Sequence, residues 1–375
     1  MRSSTTGDPI ADLRSRHGSL ISLYAERPSP GGFAALLSDL VKPIREQAEE
    51  MERPVEKSLM SDADRIRDLA EHLELDSAPA YAVFASTLDD VFRVEPLGHS
   101  VPNVATYGPR PYLRPMRAAP RSMRSGIVVA DRAFARVFVG FEGVIDEVGD
   151  AIEADIGKPN YGGFAGYAER NVRSRADEVS GRVWKDAGTR LLEAHLDRSF
   201  DYVAIGGREE MVEDVAGALH PYLAALPRVS FPSNPQSATS MSIRSQIADL
   251  DREVRREREH FLAGRVCETA LSGGHATLGL HEVLAAANTQ AVDTLVVAGD
   301  FNRRGAICDQ CGYLAREGRT CPVCQSPMFE VDDIVGSVMD AVVAAGGRVV
   351  QLRVASALDS HGVGALTRFP VAVGY

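Results

Sequence analysis

The sequence predicts an α/β protein of three domains, and three observations carry that prediction. The chain has 375 residues, beyond the size at which one hydrophobic core keeps growing. Its 45% apolar and 25% charged residues are the proportions of a folded globular chain. Through its last two thirds, short β-branched runs alternate with stretches of helical periodicity, the pattern of a mixed or parallel sheet covered by helices. The expected domains are residues 1–122, 123–258 and 259–375.

In the first domain an apolar run, Leu20 to Tyr24, is broken by "RPSPGG". Phe33 to Leu75 is polar and favours helix, and a second apolar run, "AYAVFAS", occupies 80–86. The domain closes in "YGPRPYLRPMRAAPRSMRS", where Arg110 to Ser125 hold five arginines and no acid. Proline lacks an N–H and interrupts regular helix, so this stretch reads as a surface linker with some extended structure.

The second domain opens with "GIVVADRAFARVFVGFEG", residues 126–143, two β-prone runs around a turn, which predicts a hairpin. A glycine pair follows in "YGGFAGYAERN", residues 161–171. After it Val172, Ala176, Val179 and Val183 recur at helical steps and form one apolar stripe, while Arg170, Arg173, Arg175 and Arg182 occupy other faces. A strand at 202–207, "YVAIGG", and a helix from Glu209 to Leu226 continue the alternation. The charged run "IADLDREVRREREHFLAG" reads as a long solvated helix leading to the next domain.

The third domain alternates again: helix 280–288, strand 293–299, a cysteine-rich insert, helix 331–345, strand 348–354 and a last run near 365–373. A small three-layer domain follows from that order. No internal repeat of fixed period is visible.

"CDQCGYLAREGRTCPVC" carries the most specific chemistry. Cys308 and Cys311 form one CxxC, Cys321 and Cys324 another. Each CxxC turn aims two thiolates at one point, and two turns complete a tetrahedral zinc shell with Zn–S distances of about 2.3 Å. Four protein ligands leave no position for a reacting water, so the expected Zn²⁺ is structural, holding together an insert too small for its own core. Four free thiols, or a redox pair, are the competing readings. The fifth cysteine, Cys267, has no partner at ligand spacing and reads as a small buried hydrophobe.

Charge and composition exclude several classes. A net charge of −11 argues against a protein coated in nucleic acid, and no DNA partner is expected, although local arginine clusters still act within the roughly 8–10 Å reach of an unscreened charge. The N-terminal residues lack a signal-peptide core and no run approaches the roughly 18 apolar residues of a membrane span, so the expectation is a cytoplasmic protein with no membrane partner. "GDFNRRG" and "AIGGREE" lack phosphate-loop or dinucleotide spacing and read as strand-to-helix turns. His275 and His281 have no nucleophile at recognisable spacing and are given surface or capping roles. The acids from Asp201 to Asp214 are assigned no chemistry.

Taken in order, "SGIVVADRAFARVFVG", "GKPNYGGFAGYAERN" with its arginine-rich helix, "GGHATLGLHEVLAAANTQAVDTLVV" and the closing "GVGALTRF" resemble the archaeo-eukaryotic class I peptide chain release factor family, in its bacterial branch. The resemblance covers roughly residues 80–375 and the first 80 only in outline. It implies a tRNA-like protein that enters the ribosomal A site, with an α/β N-terminal domain, a release-factor-like central domain and an L7Ae-like C-terminal domain that contacts a translational GTPase. In such factors a Gly-Gly-Gln loop approaches the peptidyl-tRNA ester; bacterial members often place two residues between glycines and glutamine. Here that glutamine position is Gly166.

Gly162 and Gly163 suit close approach to RNA, and Phe164 and Tyr167, with Tyr161, are candidates for stacking on bases. Arg170, Arg173, Arg175 and Arg182 are candidates for phosphate contact. Ester hydrolysis needs donors aimed at developing charge, and loss of one donor costs about 10²- to 10³-fold. Gly166 keeps a backbone N–H but no amide side chain. The family's stop-codon-reading Asn-Ile-Lys-Ser motif is not seen in residues 30–80. A release-factor body without codon reader or full hydrolytic loop resembles the family's ribosome hibernation factors, with a peptidyl-tRNA hydrolase in ribosome rescue and a zinc-stabilised interaction module as alternatives.

Overall fold

The computed structural model describes residues 10–119, 122–154 and 168–371. The chain forms two compact units, one of Met1–Pro120 with Phe261–Tyr375, the other of Arg121–His260.

The first unit begins with β1 (Leu20–Glu26), the helices α1 (Phe33–Ala48), α2 (Arg53–Asp68) and α3 (Ala70–Leu75), and then β2 (Ala80–Ser86), β3 (Val91–Leu97), β4 (Val104–Gly108) and the short α4 (Arg114–Arg117). The strands form an antiparallel sheet in the order β3-β2-β1-β4. Alternation along β1 explains its unbroken apolar run: Ile21, Leu23 and Ala25 pack against the helices, while Leu20 and Tyr24 pack on the opposite face with Phe84 and Leu113. Both faces are covered, so neither shows a polar alternation.

Asp62 of α2 is fully buried. Its carboxylate accepts from Thr87 N at 2.8 Å, Thr87 Oγ1 at 2.7 Å and Ser58 Oγ at 3.1 Å, tying α2 to the β2–β3 turn. Asp62→Asn turns an amide donor toward these donors and is expected to cost about 1–3 kcal/mol, read as a lower urea midpoint at unchanged slope.

The second unit contains β5 (Arg124–Ala130), β6 (Phe134–Phe141), β7 (Val144–Glu147), β8 (Ile152–Glu153), α5 (Ala168–Arg198), β9 (Tyr202–Gly207), α6 (Glu209–Gly217), α7 (Pro221–Ala224) and β10 (Arg228–Pro232). Its sheet runs β10-β9-β5-β6-β7, with β8 on β6. The hairpin expected at 126–143 is β5–β6; Asp131 closes its turn by accepting from Ala133 N and Phe134 N, both at 2.8 Å. β9 runs parallel to β5 and β10. The single helix expected over 209–226 is interrupted: Pro221 cannot donate to the preceding turn, and His220 caps a new one by accepting from Tyr222 N.

The charged run lies in α8 (Ser240–Leu271), a 32-residue helix. After it come β11 (Ala276–Leu278), α9 (Leu280–Asn288), β12 (Val292–Val297), β13 (Gly305–Cys308), β14 (Leu314–Ala315), β15 (Met328–Val331), α10 (Ile334–Ala344), β16 (Arg348–Gln351) and β17 (Val363–Thr367). The mixed sheet β11-β17-β12-β16 is parallel only between β12 and β16. One face carries α9 and α10; the other carries Ala263, Val266 and Cys267 of α8. That is the three-layer arrangement expected. "GDFNRRG" differs from expectation: it leads into strand β13, whose first residue, Gly305, passes close beside Ile334 and Ala315 where a side chain would clash.

The arginine-rich segment also differs from the expected surface linker. Its described part is the seam between the two lobes of the first unit. Arg114 donates to both carboxylate oxygens of Asp333, at 3.1 and 3.0 Å, and to the Phe301 carbonyl at 2.8 Å. The Tyr112 hydroxyl donates to the same carboxylate at 3.0 Å. Burial, reinforced by the Asp333 charge, pushes the Tyr112 phenol above its usual range. Arg117 pairs with Asp340 at 3.1 Å and Arg110 with Asp309 at 2.9 Å. The acids lie about two hundred residues along the chain, which is why local sequence shows arginines alone. Among the described residues no helix is long and apolar enough to cross a membrane.

Candidate metal centre and loop-bearing helix

The four expected ligands come together on the three-stranded sheet β14-β13-β15. Cys308 ends β13, and Gly312 N donates to its carbonyl at 2.8 Å. The second knuckle repeats this, with Gln325 N donating to Cys321 O at 3.0 Å. The residue after each CxxC is left-handed, Gly312 at φ 77° and Gln325 at φ 62°, and this reversal turns both sulfurs of a pair inward. Cys308 and Cys321 are buried, Cys324 is half-buried and Cys311 is exposed.

All four sulfurs lie within 4.8 Å of one another. Cys308–Cys324 is 3.4 Å, and Cys311 is 3.5 Å from both Cys321 and Cys324. A tetrahedral ion with 2.3 Å bonds requires about 3.8 Å between sulfurs, so the donor set fits one metal ion. The Ser326 hydroxyl and N–H, followed by the Cys308 sulfur, hold the Cys324 thiol down to about 6. The Tyr313 N–H favours the Cys311 thiolate, but desolvation and the three other sulfurs outweigh it and push that thiol to about 12. Four thiols this close cannot all ionise without a cation between them. Cys267 is buried in the α8 face of the mixed sheet, and burial raises its thiol; it takes no part in the cluster.

Gly162, Gly163, Phe164, Gly166 and Tyr167 lie outside the described residues. Arg170, Arg173 and Arg175 are in the first turns of α5, and Arg182 is exposed further along it. Val183, Ala187 and Leu191 anchor α5 to the sheet, and Trp184 Nε1 donates to Asp131 O at 2.8 Å, locking the helix to the hairpin turn. His275 and His281 are exposed. Asp201, given no role from sequence, accepts from Arg124 N at 3.0 Å and from Arg258 at 3.1 Å and so joins β5, the start of β9 and α8.

Residues 111–250, which include the described parts of the six-stranded sheet and α5, match the model of bacterial archaeo-eukaryotic release factor family 10. No curated protein matches the chain. Among solved structures, an archaeal translation termination factor, aRF1, is 14% identical over 96% of this chain and 95% of its own, with a TM-score of 0.23. Pelota of Archaeoglobus fulgidus is 17% identical over 78% and 80%, at 0.34. An archaeal Pelota in a ribosome-bound assembly with ABCE1 is 18% identical over 78% of each chain, at 0.42. The family match spans residues 111–250, and over that stretch the chain is similar to the bacterial archaeo-eukaryotic release factors.

Proposed function

We propose that this chain is a ribosome-binding, release-factor-like translation factor that occupies the A site without efficient peptidyl-tRNA hydrolysis, in hibernation or stress protection. The observation that carries the reading is the family match across residues 111–250 combined with Gly166 at the glutamine position of the loop. Residues 1–122, 123–258 and 259–375 are its domains. Gly162, Gly163, Phe164, Gly166 and Tyr167 form the RNA-facing loop, and Arg170, Arg173, Arg175 and Arg182 reach phosphates. Zn²⁺ is held by Cys308, Cys311, Cys321 and Cys324 as a structural ion, in the domain that faces a translational GTPase.

Co-sedimentation with 70S ribosomes tests the first part. The Arg170→Ala, Arg173→Ala, Arg175→Ala triple variant is expected to flatten the plot of log affinity against log salt by roughly 2–3 units, since each phosphate contact contributes somewhat under one. Wild-type protein that stays out of the ribosomal pellet at low salt favours the zinc-stabilised interaction module instead. Release of labelled peptide from peptidyl-tRNA tests the second part. The wild type is expected to be slow and Gly166→Gln up to about 10²-fold faster; rapid release by the wild type makes the chain a rescue hydrolase.

A further inference from the structure

A cleft of about 880 Å³ opens in the first unit where β12 and β16, the two parallel neighbours of the mixed sheet, end side by side. Their following loops, 298–302 and 352–355, line it together with Ser100, Pro102, Val104 and residues of α4. Crevices at the carboxyl ends of parallel strands are where α/β sheets hold small ligands, and this volume is within the usual range.

The cleft is rich in acceptors. Gln351 Oε1 is buried and has no hydrogen-bond partner among the described residues. Its amide orientation is set by Nε2, which donates to Asp300 Oδ1 at 3.1 Å. That leaves the amide oxygen as an acceptor beside the Asp300 carboxylate. Asp359 adds a second carboxylate, against one exposed cation, Arg353; the other lining arginine, Arg114, is neutralised by Asp333. Pro102, Val104, Pro115 and Leu352 give the rest of the wall a smooth apolar surface.

We infer that this cleft binds the guanidinium of an arginine side chain. Two adjacent oxygens, one of them charged, match the planar N–H fork of that group, and the apolar wall suits its aliphatic stem. A phosphate is disfavoured by the same acids. The inference stands apart from the ribosomal reading, since among the described residues none of α5 lines the cleft.

The test is calorimetric titration of the full-length chain with Nα-acetyl-arginine amide, free L-arginine and Nα-acetyl-citrulline amide. Saturable binding of an arginine compound, with citrulline weaker by roughly 10- to 100-fold, is the expected result. Tighter binding of the amide identifies a peptide-borne arginine, and tighter binding of the free amino acid a metabolite; each supports the inference. Gln351→Leu and Asp300→Asn are each expected to weaken binding about tenfold. Asp300 is exposed, so its variant keeps the test open if Gln351→Leu fails to fold. Absence of saturation with either arginine compound overturns the inference, as does equal affinity for citrulline or affinity unchanged in both variants.

Discussion

Cys308→Ser is expected to reduce bound zinc from one ion per chain toward none and to lower the thermal midpoint of the first unit well below that of the wild type. The magnitude follows from linkage: structural zinc sites contribute apparent binding energies of about 10–16 kcal/mol at neutral pH, and a three-thiolate remnant retains a fraction of that. The effect is expected to spread beyond the knuckle. Ile307 and Leu314 of its sheet belong to the same core as Val335, Val338 and Met339 of α10. The Asn288 side chain clamps Leu314 in both directions, accepting from its N–H and donating to its carbonyl, each at 2.8 Å. A chelator should therefore destabilise α9 and α10 along with the knuckle. Elemental analysis and a melting curve with and without chelator check both statements. A curve indifferent to chelator would show that the four thiols bear no structural ion. Cys267→Ala is the control, because its sulfur is outside the cluster and zinc content should not change.

Arg114→Ala is expected to cost about 3–5 kcal/mol, the range for removing one partner of a buried pair. The two side chains are only 8% and 10% exposed, and truncation strands the Asp333 charge with Gly336 N, at 2.8 Å, and the Tyr112 hydroxyl as its remaining donors. The Phe301 carbonyl loses its donor in the same step. Asp333→Ala should cost a similar amount and also remove the N-cap of α10. The double variant Arg114→Met, Asp333→Leu should be far milder than the sum of the single losses, since no charge is left stranded. Urea titration of the wild type, Arg114→Met, Asp333→Leu and their double variant gives the coupling; additive losses would mean that the pair is not a unit. Arg117–Asp340, with a partner one third exposed, is worth much less.

Where the sequence spoke locally, it was legible. The unbroken apolar runs at 80–86 and 202–207 are strands with every residue buried, and the helix over 280–288 has the expected limits. The paired CxxC spacing brought four sulfurs to one place because each knuckle is a turn whose geometry is local. The edge strands β3 and β4 were not anticipated: "VFRVEPL" and "VATYG" mix half-buried and exposed positions and show no clean apolar signal. Neither was the role of Arg110, Arg114 and Arg117, since nothing within their own segment reveals Asp309, Asp333 and Asp340. Proline correctly forbade long helix there, yet a four-residue turn beginning at Arg114 with Pro115 next satisfies the same rule.

The seam has a consequence in time. Arg114 precedes Asp333 by 219 residues, and the whole of the second unit is synthesised between them. At about 5–20 residues per second, roughly 10–45 s separate the emergence of the two. During that interval the nascent N-terminal sheet presents Arg110, Arg114 and Arg117 with none of their acids yet made, so completion of this unit waits on the last hundred residues of translation, and early termination would leave these arginines without Asp309, Asp333 and Asp340.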